Sequence, residues 1–322
     1  MSANRLRGGV VSVGLVMLLC SATAQADEPR ASVVVVVGAE GTPEFGTQFK
    51  TWAERWNVAA KRGQAESVVL GLEPEGEKSD RDLLHEHLNR LAPTSTEPLW
   101  LILIGHGTYD GKTARFNLRG EDITPIELGT WLTAVQRPLA VVNCSSCSAP
   151  FLTALSGPDR VTITATKAGQ EYNFSRFGDY LSAAIGDPAG DLDKDEQTSL
   201  LEAFVVASAR LREFYKRESR LATEHPLIDD NADHLGTPAD WFEGLKPVKA
   251  AKAGATLDGG LARQFVLVRN VRDELLSAEV RARRDALERD LAVLRNKKAA
   301  MAEAEYFEQL EVILVELARL SP

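Results

Sequence analysis

Apolar residues along this chain follow two rhythms, and their alternation predicts a layered α/β core. Residues 32–38 read SVVVVVG, a β-branched run closed by glycine, as a central parallel strand buried on both faces does. Phe49, Trp52, Trp56 and Ala59 then recur at helical spacing across residues 43–61, and residues 67–72 read as a second strand, which makes a βαβ unit. The cycle repeats. Ser79 and Asp80 cap a helix carrying Leu83, Leu84, Leu88 and Leu91, and residues 99–104, LWLILI, form a third buried strand ending at Gly105-His106-Gly107. Thr124 before Pro125 opens a helix through Leu128, Trp131 and Leu132. Residues 139–142 make a fourth strand that ends at Asn143-Cys144-Ser145-Ser146-Cys147. A strand at 161–165 and a helix at 177–185 complete a doubly wound, mostly parallel sheet in three α/β/α layers, with functional groups at the carboxyl ends of its strands.

The rhythm changes after residue 245. Residues 246–262, rich in Ala, Gly and Lys, read as a linker, and residues 263–322 as a helical segment. Between Val271 and Leu320 there is neither glycine nor proline, and Leu276, Val280, Leu287, Leu291, Leu294, Leu310, Leu314 and Leu317 recur at helical or heptad spacing among dense charge. Lys298 and Glu305 interrupt that seam, so an arm, a helical hairpin and a coiled coil all fit the pattern. Residues 271–320 are therefore a candidate surface for a protein partner or for self-association.

The amino terminus alters the boundaries. Arg5 and Arg7 precede an apolar run over residues 10–19, and Ala24-Gln25-Ala26 is a small-x-small cleavage site, so residues 1–26 read as a signal peptide. Export to a periplasm or the medium is expected, with no integral membrane segment after cleavage, because the run is short for a span. The globular part is then 27–245. Removing Arg5 and Arg7 from the 37 basic residues leaves them further outnumbered by 46 acidic ones, which argues against a nucleic-acid partner. Cys20 leaves with the signal, so Cys144 and Cys147 are the only thiols remaining.

A histidine and a cysteine at the ends of neighbouring parallel strands share one rim of the sheet, which is a dyad geometry. An imidazole beside a thiol can accept its proton or hold it as an ion pair, and His106 with Cys144 or Cys147 is the candidate catalytic set. Gly105 and Gly107 let backbone approach a substrate, and their N–H groups are candidate oxyanion donors.

The order of these motifs resembles the caspase and legumain families of cysteine peptidases. Residues 101–107, LILIGHG, are similar to the family's hydrophobic strand ending in His-Gly; residues 139–144, LAVVNC, are similar to the later strand ending in the nucleophilic cysteine, and Ser148-Ala149-Pro150-Phe151 to the segment that follows it. Residues 161–166, VTITAT, resemble the next strand of legumain-like members, and the likeness runs over about residues 32–209. Aligned on the strand, the family's cysteine falls at Cys144; aligned on Ser148 without gaps, Ser146 stands in its place, with Cys147 between. The resemblance implies a caspase-like α/β fold and an exported peptidase acting on peptide or protein substrates. The other readings are a non-catalytic scaffold of that fold presenting its carboxyl-terminal helix, and a thiol–disulfide oxidoreductase using the C-x-x-C of Cys144 and Cys147. A structural disulfide between those two cysteines also fits an oxidising compartment. Two cysteines without close histidines argue against zinc.

One more motif points to a metal. Across residues 191–202, Asp191, Asp193, Asp195, Gln197, Ser199 and Glu202 occupy the ligand positions of a twelve-residue calcium loop, with Glu196 where glycine normally turns the chain. Calcium is the expected ion, and an acidic capping turn without metal is the alternative. Asp229, Asp230, Asn231 and Asp233 read as solvated turn chemistry.

Overall fold

Each central strand alternates its side chains between two separate cores, and that is why the strand sequences are apolar throughout rather than every second residue. In a computed structural model of the chain, residues 30–74, 76–93, 95–249 and 257–320 are described; residues 1–26, read above as a signal peptide, and residues 250–256 of the expected linker lie outside them. The elements are β1 (Ser32–Val37), α1 (Pro43–Arg62), β2 (Glu66–Leu70), α2 (Asp80–Leu91), β3 (Leu99–Ile104), β4 (Gly107–Tyr109), β5 (Ala114–Phe116), α3 (Pro125–Leu132), β6 (Leu139–Asn143), α4 (Ala149–Leu155), β7 (Arg160–Thr164), α5 (Phe177–Ala184), α6 (Leu200–Arg217), β8 (Leu227–Asp229) and β9 (Thr237–Pro238). Three further helices close the chain: α7 (Val271–Glu274), α8 (Ala278–Lys297) and α9 (Glu303–Leu320).

The main sheet runs β2-β1-β3-β6-β7-β8-β9. Its first five strands are parallel, and β8 and β9 add an antiparallel edge. Val33, Val35 and Val37 of β1, Trp100, Ile102 and Ile104 of β3 and Ala140 and Val142 of β6 join one core with Phe49, Trp52 and Trp56 of α1 and the apolar faces of α5 and α6. Val34, Val36, Leu101, Leu103 and Val141 face the other way, onto Leu84, Leu88, Leu128 and Phe151 of α2, α3 and α4. Ser79 and Thr124 cap α2 and α3 as their positions predict, each accepting from the backbone N–H three residues on.

The segment from Asp258 onward belongs to the same body. Ala262, Phe265 and Leu267 lie in the core beneath α1 and α6, with Phe265 edge-on to Trp100 at 5.6 Å. The unbroken helical pattern after Val271 resolves into α7, α8 and α9; Ser277 caps α8, and a single tight turn at Lys298–Ala300 reverses the chain into a hairpin of α8 and α9. Asp229 and Asp230 depart from the solvated-turn reading: both are buried, because residue 229 ends β8 and Asp230 is covered by the returning segment at Asp258.

Candidate functional site

Strand register decides what stands at the carboxyl rim. Leu103 of β3 pairs with Asn143 of β6, so the residues after each strand meet side by side: Cys144 N–H donates to Leu103, and Gly107 faces Ser146. His106 is half-buried in an aromatic recess, edge-on to Phe45 at 4.9 Å and Phe49 at 5.1 Å, with Phe174 at 6.0 Å. Its Nε2 donates to the Glu40 carbonyl at 3.2 Å. That bond fixes the hydrogen on Nε2, since a carbonyl only accepts.

Cys144 continues the β6 alternation two residues after Val142, so its side chain enters the core shared with α1 and α5. The backbone of Gly178 leaves so little room that a side-chain carbon there would stand 2.8 Å from the Trp52 ring and 2.9 Å from Cys144 Cβ. Burial, and then the Glu224 carboxylate, push this thiol up to about 12. Cys147 lies in the turn that follows, with φ at 56°, its Sγ reaching the Glu171 carbonyl at 3.7 Å. Burial and the Glu171 charge push it up to about 11. Both cysteines are free thiols, and among the described residues no hydrogen bond joins either sulfur to His106.

Two hydroxyls occupy the rim instead. Ser146 Oγ accepts from Gly107 N–H at 3.2 Å and donates to the Gly107 carbonyl at 3.1 Å, so that N–H is already bonded within the fold. Ser145 is fully buried, its Oγ donating to Asn143 Oδ1 at 2.7 Å. A side-chain carbon on Gly107 would lie 3.0 Å from Ser145 Oγ and 2.1 Å from the Ser146 carbonyl oxygen. Gly105 is closely packed for a different reason, since a side-chain carbon there would stand 3.1 Å from the Phe116 ring and 3.3 Å from Gly38 across the end of β3.

In fold, the chain is similar to caspases. It matches the Drosophila initiator caspase Dronc at 11% identity and a TM-score of 0.41, covering 62% of this chain and 79% of that one. Caspase-1 from Spodoptera frugiperda matches at 9% identity and a TM-score of 0.40, over 62% and 86%. Protein GSU0716 from Geobacter sulfurreducens matches at 12% identity and a TM-score of 0.42, over 62% and 93%. No family model and no curated protein matches the sequence. Identities this low carry no residue roles across, so the rim is read from its own geometry.

That geometry includes groups the sequence did not single out. Glu171 pairs with His225 Nδ1 at 2.5 Å beside Cys147. Glu224, buried, takes the backbone N–H groups of Arg176 and Phe177 at the start of α5, together with the hydroxyls of Ser175 and Tyr215. Glu171 and His225 are 54 residues apart and Phe177 and Glu224 are 47 apart, so no local pattern announces either cluster.

The acidic loop is distant in sequence from this rim. Carboxylate oxygens of Asp191, Asp193 and Asp195 lie within 4.8 Å of one another. Lys194 and Glu196 take left-handed φ of 67° and 72°, so the chain turns where glycine is absent, and the Asp191 carboxylate accepts three backbone N–H groups across the turn. Glu202 closes the loop differently: one oxygen accepts Leu192 N–H, and the other completes a capping box with Ser199 at the start of α6. Gln197 is drawn aside, accepting Asn270 N–H and donating to Asp195. The hard oxygen donors of the three aspartates suit calcium better than a soft metal.

Proposed function

We propose that this protein is a non-catalytic caspase-like scaffold that presents the α8/α9 hairpin to a protein partner. The observation that carries the reading is that both thiols are buried and, among the described residues, neither sulfur bonds His106; burial pushes both away from the thiolate form, up to about 12 and about 11. The peptide groups at the rim point the same way, because Gly107 N–H is bonded to Ser146 and His106 Nε2 to Glu40. Export after removal of residues 1–26 and calcium binding at Asp191, Asp193 and Asp195 are parts of the same proposal.

The test is incubation of the exported chain with a peptide library, reductant and calcium, alongside a cysteine alkylator at neutral pH. No cleavage and slow modification of both cysteines are expected. Cleavage abolished by Cys144→Ala or by Cys147→Ala replaces the scaffold with a cysteine peptidase, and identifies its nucleophile.

A further inference from the structure

Helix α9 is apolar on more than one side. Tyr306 is buried and Leu310, Ile313 and Leu317 are half-buried along one side of α9, which packs against α8 and is tied to it by the Arg283–Glu316 ion pair at 2.5 Å. On the opposite side Val312 is 63% exposed and Val315 42%, on an open face of the helix shared with Glu311 and Arg319. A helix apolar on two opposite faces is buried between two neighbours, and α8 is only one.

The outward stripe identifies the second neighbour. Glu308, Val312, Val315 and Arg319 are spaced four, three and four residues apart, so they form one row on the helix. The spacing is the same read backwards, and the chemistry is complementary when reversed: acid, apolar, apolar, base. We infer that α9 pairs antiparallel with α9 of a second copy of this chain, Glu308 of each opposite Arg319 of the other and Val312 against Val315 at the two-fold axis. The row is self-complementary, as an isologous interface requires, and an unrelated partner would impose no such symmetry. Among the described residues no ion pair engages Glu308 or Arg319, while Glu316 beside them is already neutralised by Arg283. Two hairpins joined this way form a layer of four helices in the order α8-α9-α9-α8, because α8 and the second copy lie on opposite faces of α9. The inference rests on the scaffold reading in taking the hairpin as the working surface, and names its partner.

Sedimentation equilibrium of the exported chain over a range of concentrations tests it. A monomer–dimer equilibrium is expected. Glu308→Arg and Arg319→Glu should each weaken the dimer at least about tenfold, because each reversal creates two like-charge contacts at once. Combining the two reversals in one chain should restore the dimer, and mixing the two single variants should give a heterodimer. Val315→Asp should leave a monomer whose circular dichroism and melting of the body are unchanged. A wild-type monomer, single reversals without effect, or no recovery in the double reversal overturns the inference. Peptide cleavage measured on the same samples separates the two readings: cleavage by a dimer removes the scaffold reading alone, and an inert monomer removes the second copy alone.

Discussion

Cys144 and Cys147 are three residues apart, yet their surroundings differ in what they accept. Cys144 lies in the apolar core beside Gly178 and, among the described residues, its sulfur makes no hydrogen bond, whereas Cys147 Sγ faces the Glu171 carbonyl. Cys144→Ser should therefore cost about 1–3 kcal/mol, the cost of burying a hydroxyl without a partner. Cys147→Ser should be close to neutral, because its hydroxyl can donate to Glu171. Urea unfolding of both variants checks the contrast, and equal losses would remove the distinction. The raised thiol of Cys144 also sets a sign: its contribution to stability is complete below the ordinary value of 9.0 and is lost as pH rises toward about 12. The legible part here was position at the rim. Burial was not legible, because it follows from which face of β6 the residue after Asn143 takes and from α5 arriving opposite it.

Among the elements, the acidic loop and the returning segment each make a separate prediction. Calcium should raise the melting temperature by binding the folded state, magnesium should do less, and Asp193→Ala should abolish the effect. A stabilisation of about 2.7 kcal/mol is expected once calcium reaches a hundredfold excess over its dissociation constant; unchanged melting curves leave Asp191 as the cap of a turn. At the other loop, two aspartates join the segments: Asp230 accepts Gly259 and Ala262 N–H, and Asp258 accepts Asp230 N–H and the Thr237 hydroxyl. Burial, with Asp230 and Asp229 nearby, pushes Asp258 up to about 8. Its folded form holds the proton more tightly than the unfolded chain, so this stability is complete below pH 3.8 and is lost as pH rises through about 8. Asp258→Asn should flatten the stability profile over that window and raise the melting temperature at its alkaline end.

For the whole molecule, one buried carboxylate adds a polar tie between the sheet and the carboxyl-terminal segment, beside the core contacts of Phe265 and Leu267. Glu97, just before β3, takes Arg269 at 2.6 Å and Arg281 at 2.7 Å, and is itself 3% exposed. Removing it takes the carboxylate from two guanidinium groups, but Arg269 is 26% exposed and Arg281 keeps the Asp273 and Leu276 carbonyls, so Glu97→Ala should cost less than the about 3–5 kcal/mol of breaking a fully buried pair. The same variant should free the hairpin from the body, read as faster proteolysis after residue 268 with the sheet intact. A loss under one kilocalorie with unchanged proteolysis would show that Phe265 and Leu267 hold the segment without it.

By itself the sequence determined the parallel strands, the helices between them, their caps and the placement of His106 and Cys144 at strand ends, because each rests on periodicity or on a cap three residues long. It also marked Asp191, Asp193 and Asp195, whose spacing within one loop brings their carboxylates together. Only the tertiary structure decided that β8 adds an antiparallel edge, that Asp229 and Asp230 are buried, that Glu171 meets His225, and that residues 258–268 fill the core beside Trp100. These depend on segments far apart in the chain, whose contacts leave no local rhythm. The thiols show the division most clearly: their positions follow from β6, and their protonation follows from the helices, glycine and carboxylates that other parts of the chain bring against them.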